Sequence, residues 1–203
     1  MANDNSEAGY SRGDWEKHYQ SEDLGWDLGK VSPPFLSLWK EQNLVPCNTI
    51  IPGCGRGHEA VFLAENGFRV TAVDYCNGAV NALRKSIADK GLECDILHQD
   101  FFDLDSSHDS SYELMLEQTF FCAISPSQRK LYVETAHRIL KFGGLLLGLF
   151  YETNAEGGPP FNTTRSDILH HFCDRFMVQS LEKTLLSDEQ RKNKEWLGFL
   201  KKK

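Results

Sequence analysis

Residues 49–74 constrain this chain more than any other stretch. Thr49, Ile50 and Ile51 read as a buried strand, and Pro52-Gly53-Cys54-Gly55-Arg56-Gly57-His58-Glu59 reads as a tight glycine loop opening a helix. A second apolar run, 68–73, ends at Asp74, 21 residues after Gly53. Glycine lets loop backbone approach a ligand where a β-carbon would collide. A carboxylate at the tip of the next strand can accept hydrogen bonds from two ribose hydroxyls. The order strand, glycine loop, helix, strand therefore points to a parallel sheet that holds a nucleoside-bearing cofactor at its strand ends.

The glycine spacing selects among such cofactors. A dinucleotide site needs G-x-G-x-x-G/A, with a third small residue where strand and helix cross, and His58 stands there. The glycines at 53, 55 and 57 form G-x-G-x-G instead. That pattern resembles the first motif of S-adenosylmethionine (SAM) dependent methyltransferases of the doubly wound class. SAM carries an amino-acid end and a ribose but no phosphate, so its loop need not cradle a diphosphate.

Composition excludes several other functions. At 203 residues the chain suits one domain with a full core. A net charge of −7 argues against nucleic acid or an anionic membrane as partner. The six cysteines, at 47, 54, 76, 94, 122 and 173, form no C-x-x-C pair and no metal-ligand spacing. They are expected to be reduced and mostly buried in a cytoplasmic protein that holds no metal. No apolar run is long enough to span a bilayer, and no signal core opens the chain. A soluble monomer acting on a small molecule is the expectation.

Along the chain, residues 1–13 are small and polar and are expected to be disordered. Residues 14–203 form the single domain, of which 14–45 is an aromatic-rich leading segment. It carries Trp15, Tyr19, Trp26, Phe35 and Trp39, with a short helix over 35–43. Strand 49–52, helix 58–66, strand 68–73 and helix 77–90 then alternate, with Gly67 and Gly91 as left-handed caps. Strands 94–98 and 112–117 follow. Ser125-Pro126 caps helix 127–141, with Leu131, Ala136, Ile139 and Leu140 inward and Gly143-Gly144 as its stop. Strand 145–151, helix 164–172 and strands 175–183 and 195–201 complete the chain. The alternation predicts an α/β, doubly wound, mostly parallel sheet of seven strands, and the final pair predicts an antiparallel hairpin at one edge.

Four stretches resemble the thiopurine methyltransferase-like superfamily, most closely its halide, thiocyanate and thiol methyltransferase branch. They are Trp15-Glu16-Lys17-His18-Tyr19 with Trp26-Asp27-Leu28-Gly29, the loop 52–59, Phe120-Phe121-Cys122-Ala123-Ile124-Ser125-Pro126, and Tyr151 with Gly157-Gly158-Pro159-Pro160-Phe161. The resemblance implies the class I methyltransferase fold and SAM as cofactor, with S-adenosylhomocysteine as its product. It implies that residues 14–45 fold over the cofactor as a lid, with Trp15, Tyr19 and Trp26 against the sulfonium and its nucleoside; the same aromatics could instead be packing for an N-terminal arm. It further implies that Asp100 accepts the adenine amino hydrogen and Phe101 covers the ring, although Asp100 also reads as a turn cap. Glu117 stands where the branch has Asp. The rule that ligands bind at the carboxyl ends of parallel strands puts Glu117 and Tyr151 in the crevice.

The implied reaction is in-line displacement of the SAM methyl group by a small soft nucleophile: halide, thiocyanate, hydrosulfide or another thiol. Such acceptors need little acid–base help, so alignment and removal of water are the expected means. Phe120, Phe121, Tyr151 and Phe161 would wall the pocket, with the Tyr151 hydroxyl orienting the nucleophile. Tyr151 also reads as a structural strand-end residue. A thiopurine-type enzyme for larger aromatic thiols or metalloid oxyanions, a nicotinamide oxidoreductase and an inactive SAM binder remain as alternatives. The seven histidines are scattered and are expected on the surface or at caps.

Overall fold

The computed structural model describes residues 9–203. The expected disorder over 1–13 therefore lies mostly outside the described residues. Inside them, the chain is already helical from Arg12. Helix α1 (Arg12–Ser21) starts there because Ser11 and Asp14 cap it reciprocally: the Ser11 hydroxyl accepts from the Asp14 N–H at 3.3 Å, and the Asp14 carboxylate accepts from the Ser11 N–H at 3.1 Å. Helix α2 (Pro33–Lys40) opens on two prolines and buries Phe35 and Leu38.

The core alternation follows. It runs β1 (Asn48–Pro52), α3 (His58–Glu65), β2 (Arg69–Asp74), α4 (Asn77–Lys90), β3 (Asp95–His98) and β4 (Tyr112–Gln118). It continues with α5 (Arg129–Ile139), β5 (Leu140–Tyr151), α6 (Arg165–Phe172), β6 (Phe176–Lys183) and β7 (Glu195–Lys202). The sheet order is β3-β2-β1-β4-β5-β7-β6, with β1 to β5 parallel and β7 antiparallel to both of its neighbours. The topology reverses between β1 and β4, which opens a crevice at the carboxyl ends of those strands. The expected terminal hairpin is present, but β6 is the outer strand and β7 inserts between it and β5.

Alternate strand residues serve the two faces. Ile50, Met115 and Leu146 pack with Tyr132, Ile139, Ile168 and Phe172 of α5 and α6. Ile51, Leu114, Leu116 and Leu147 pack with Leu63 and Leu83 of α3 and α4 and with Phe35 of α2. A third, smaller cluster joins Tyr19 of α1 to Cys76 and Ala79 at the start of α4. Gly78 permits that docking, since a β-carbon there would sit 2.4 Å from the Tyr19 β-carbon. Among the described residues no helix is long and apolar enough to cross a membrane.

Three expectations about the middle of the chain give way. Helix α5 ends at Ile139, and Leu140 already belongs to β5, which starts five residues earlier than expected. Leu131 faces out at 46% exposure, and Tyr132 and Val133 take the inward positions. Gly144 is no helix stop but a point of close strand approach, where a β-carbon would lie 3.2 Å from the Tyr112 carbonyl oxygen of β4.

Candidate active site

A cavity of about 960 Å³ lies at the carboxyl ends of the central strands. Trp15, Tyr19, Trp26, Gly53, Gly55 and Asp74 line one part of it, with Asp100 and Phe101 alongside. Tyr151, Thr119, Phe120, Cys122, Pro160 and Arg191 line another. All but four of the expected site residues thus meet at one cavity. The exceptions are Gly57, which turns the chain into α3, Glu117, which is fully buried behind the cavity wall, and the two expected wall residues Phe121 and Phe161. Both phenylalanines are buried away from the cavity, Phe121 in the core against Tyr132, Phe150 and Phe172.

The glycine loop is shaped for reasons the spacing alone did not reveal. Gly53, Gly55 and Gly57 all hold positive φ, at 55°, 55° and 77°. A β-carbon on Gly53 would come within 2.3 Å of the Phe120 ring, and one on Gly57 within 2.4 Å of Leu83. The glycines therefore admit the protein's own side chains as much as a ligand. The loop backbone is held by Asp74, whose two carboxylate oxygens accept from the Gly55 N–H at 3.0 Å and the Cys76 N–H at 2.9 Å. Burial raises the Asp74 carboxyl above its usual range, and these two donors act against that shift. Asp100 accepts from the Phe102 N–H at 3.0 Å, so it is a turn cap and a cavity-lining carboxylate at once.

The leading segment crosses the cavity as a strap. Trp15 and Trp26 meet edge to face at 5.1 Å between centroids, Tyr19 meets Trp26 at 5.7 Å, and Tyr10 stacks on His18 at 5.2 Å. Arg12 reaches the His98 ring at 3.0 Å and lies over the Tyr75 ring at 5.9 Å. Glu16 accepts from the Asn77 N–H at 2.8 Å. At the other end, Asp27 pairs with His58 at 2.8 Å, and that bond lowers the Asp27 pKa and raises that of His58. Arg56 bridges Glu22 and Asp27. The strap is thus tied to the glycine loop by side chains that both segments supply.

The Tyr151 end draws on remote parts of the chain. Arg191, from the β6–β7 connection, is buried, donates to the Trp26 carbonyl and pairs with the equally buried Glu195 at 3.3 Å. Its guanidinium sits 5.9 Å from the Tyr151 ring centre. Behind the wall, Arg129 donates to the Asn162 carbonyl at 3.0 Å and to the Thr163 hydroxyl at 3.2 Å, and lies 4.8 Å over the Phe121 ring. The Phe161 N–H donates to the Cys122 carbonyl at 2.7 Å, which binds the glycine–proline loop to the turn after β4.

Sequence reasoning did not find Arg191 or Arg129, which sit in charged stretches that read as solvent-facing. The histidines are also more engaged than expected: His58 and His98 hold the strap, and His171 packs against Phe121 at 5.9 Å. The cysteines are unbridged as expected, though only Cys76 and Cys122 are buried and Cys173 is exposed.

The residues present fit SAM. Asp74 is a buried carboxylate at the cavity beside left-handed glycines, and Trp15, Tyr19, Trp26 and Phe101 line the same cavity. Comparison with known proteins agrees. The chain is 31% identical over 160 residues to the probable thiol methyltransferase 2 of Arabidopsis thaliana, covering 77% of this chain and 70% of that one. It is 30% identical over 196 residues to thiocyanate methyltransferase 1 of Brassica oleracea, covering 94% and 85%. Among solved structures, the 1,6-didemethyltoxoflavin-N1-methyltransferase of Burkholderia thailandensis, with bound S-adenosylhomocysteine, superposes with a TM-score of 0.76 over 94% of this chain and 86% of that one, at 17% identity, a likeness of fold. The family profile for thiopurine S-methyltransferase matches residues 10–201. The chain therefore belongs to the thiopurine S-methyltransferase family and is a SAM-dependent methyltransferase of the class I fold.

Proposed function

We propose that this enzyme moves the SAM methyl group to a small, soft, anionic nucleophile: a halide, thiocyanate, or hydrosulfide or another small thiol as its thiolate. When bound, SAM supplies an electrophilic methyl on a sulfonium and leaves as neutral S-adenosylhomocysteine. The observation that carries the reading is the Tyr151 end of the cavity, where Phe120, Pro159 and Pro160 supply apolar walls around one buried cation, Arg191. Apolar walls strip water from a soft anion, and the guanidinium draws the anion in. Glu195 keeps Arg191 in place, and Arg191 in turn fastens the strap through the Trp26 carbonyl. Tyr151 offers a hydroxyl that orients the acceptor. Trp15, Tyr19 and Trp26 close over the sulfonium, Asp74 holds the ribose, and Asp100 with Phe101 holds the adenine. The names of the plant relatives support the same acceptor class.

A thiopurine-type reading, with a larger aromatic thiol as acceptor, is favoured by two observations. The cavity, at about 960 Å³, lies near the upper end of the usual range for ligand sites. The family profile is also named for that activity. Headspace gas analysis of the purified enzyme with SAM and iodide, bromide, chloride, thiocyanate or hydrosulfide separates the two. The small-anion reading predicts volatile methyl products, with iodide ahead of chloride. No volatile product, together with ready methylation of a thiopurine, would overturn it in favour of the second.

A further inference from the structure

Glu117 lies one residue before the end of β4 with no exposed surface, yet among the described residues no cation offsets its charge. One carboxylate oxygen accepts from two successive backbone donors, the Phe120 and Phe121 N–H groups, both at 2.9 Å. The other accepts from the Tyr132 hydroxyl of α5 at 2.5 Å. The turn so held is unusual. Thr119, a β-branched residue, sits at φ +60°, a conformation that persists only where the surroundings impose it. Phe120 leaves the turn with its ring against Gly53, Cys122 donates its thiol to the Thr119 carbonyl at 3.2 Å, and Thr119, Phe120 and Cys122 all line the cavity. One buried carboxylate thus pins the wall that faces both the glycine loop and the Tyr151 end.

We propose that Glu117 is a positioning residue for methyl transfer: in its ionised form it holds the Thr119–Phe121 turn so that the acceptor pocket keeps its shape against the cofactor. It touches neither reactant. The proposal rests on the acceptor lying at the Tyr151 end.

The groups that face Glu117 sharpen the expectation. Tyr132 from α5 and Cys122 from the turn are its titratable neighbours, and burial keeps both neutral by raising their pKa values, that of Cys122 to about 12. Burial also raises the Glu117 carboxyl to about 7, with the Phe121, Tyr132 and Phe120 donors acting against the shift. A carboxyl raised in the folded state stabilises the fold least where it is ionised. Its contribution declines as pH rises from its ordinary value, near 4.5, through 7. A residue kept for packing alone would gain nothing from that charge.

The test compares wild type with Glu117→Gln, which keeps size and acceptor oxygen but not charge, and with Glu117→Ala. At pH 8.5 Glu117→Gln should melt at or above the wild-type temperature, and any excess should shrink by pH 5.5. Affinity for S-adenosylhomocysteine should stay within about threefold, while kcat/KM for hydrosulfide at pH 8.5 falls about 10- to 100-fold, most of it in kcat. The ratio of variant to wild type at each pH cancels the ionisation of the acceptor, so the deficit should narrow toward pH 5.5. Iodoacetamide labelling of Cys122, read by mass spectrometry against the exposed Cys173, needs no acceptor. It should rise about tenfold or more in Glu117→Ala and by less in Glu117→Gln. Unchanged labelling of Cys122 in both variants would overturn the proposal, even if hydrosulfide proved not to be a substrate. So would a Glu117→Gln enzyme that turns over hydrosulfide like wild type, or one destabilised equally at both pH values.

Discussion

The two parts of the cavity are built in opposite ways. The glycine-loop part, where the cofactor is proposed to bind, rests on backbone: Asp74 binds two N–H groups, the glycines turn the loop, and the strap lies across it through aromatic faces and partly buried ion pairs. The Tyr151 part, where the acceptor is proposed to bind, rests on buried charge carried by side chains: Glu117 on Tyr132 and the turn, Arg191 on Glu195, and Arg129 on carbonyls. A backbone-built site tolerates change in its neighbours because main-chain donors stay where the sheet puts them. A site built of buried charges depends on each partner, since removing one leaves the other uncompensated.

That contrast can be broken most readily at Arg191. Arg191→Ala leaves Glu195 buried without its partner and should cost about 3–5 kcal/mol of stability by denaturant titration. Replacing the pair together, as Arg191→Met with Glu195→Leu, should recover most of that loss but not methyl transfer. Recovery of both would mean that the cation serves only the fold. Tyr151→Phe sharpens the comparison at a smaller scale. Affinity for SAM should hold, while transfer slows by about 1–2 kcal/mol in activation free energy, roughly 5- to 30-fold in kcat. A loss of SAM affinity instead would place the hydroxyl on the cofactor.

The smallest effect belongs to the strap. His58 gains a partner in Asp27, so its folded pKa lies above the ordinary value of 6.5. The stability it lends is fully present below about pH 6.5 and is lost as pH rises through the folded value. His58 is about one-third exposed, so screening limits the contribution to about 0.5 kcal/mol. Melting curves of wild type and His58→Gln should differ slightly at pH 6 and converge by pH 9. A larger gap at pH 9 than at pH 6 would contradict the assignment.

The same contrast explains what could be read in the sequence. The glycine-loop part lies on consecutive elements, β1, α3, β2 and α4, whose bounds follow from apolar period and glycine punctuation; α4 occupies residues 77–90 as expected. The Tyr151 part gathers the turn after β4, the end of β5 and the β6–β7 connection, and local pattern does not report long-range encounters. Glu117 illustrates the limit. The strand-end rule located its backbone correctly, but the side chain turns back to satisfy two N–H groups of its own turn. Arg191 sits in a charged connection that reads as solvated, and only the fold brings Glu195 and Trp26 to it. Gly144 read as a helix stop because glycine marks helix ends and close strand approaches alike.

The proposed cofactor site turns on Asp74 beside the glycine loop. Titration calorimetry of S-adenosylhomocysteine into wild type and Asp74→Ala tests it directly, with circular dichroism to confirm that both are folded. Loss of a charge-assisted ribose contact predicts affinity lower by roughly 1.5–3 kcal/mol, about 10- to 100-fold in Kd. Equal affinity in a folded Asp74→Ala protein would contradict a ribose contact at Asp74.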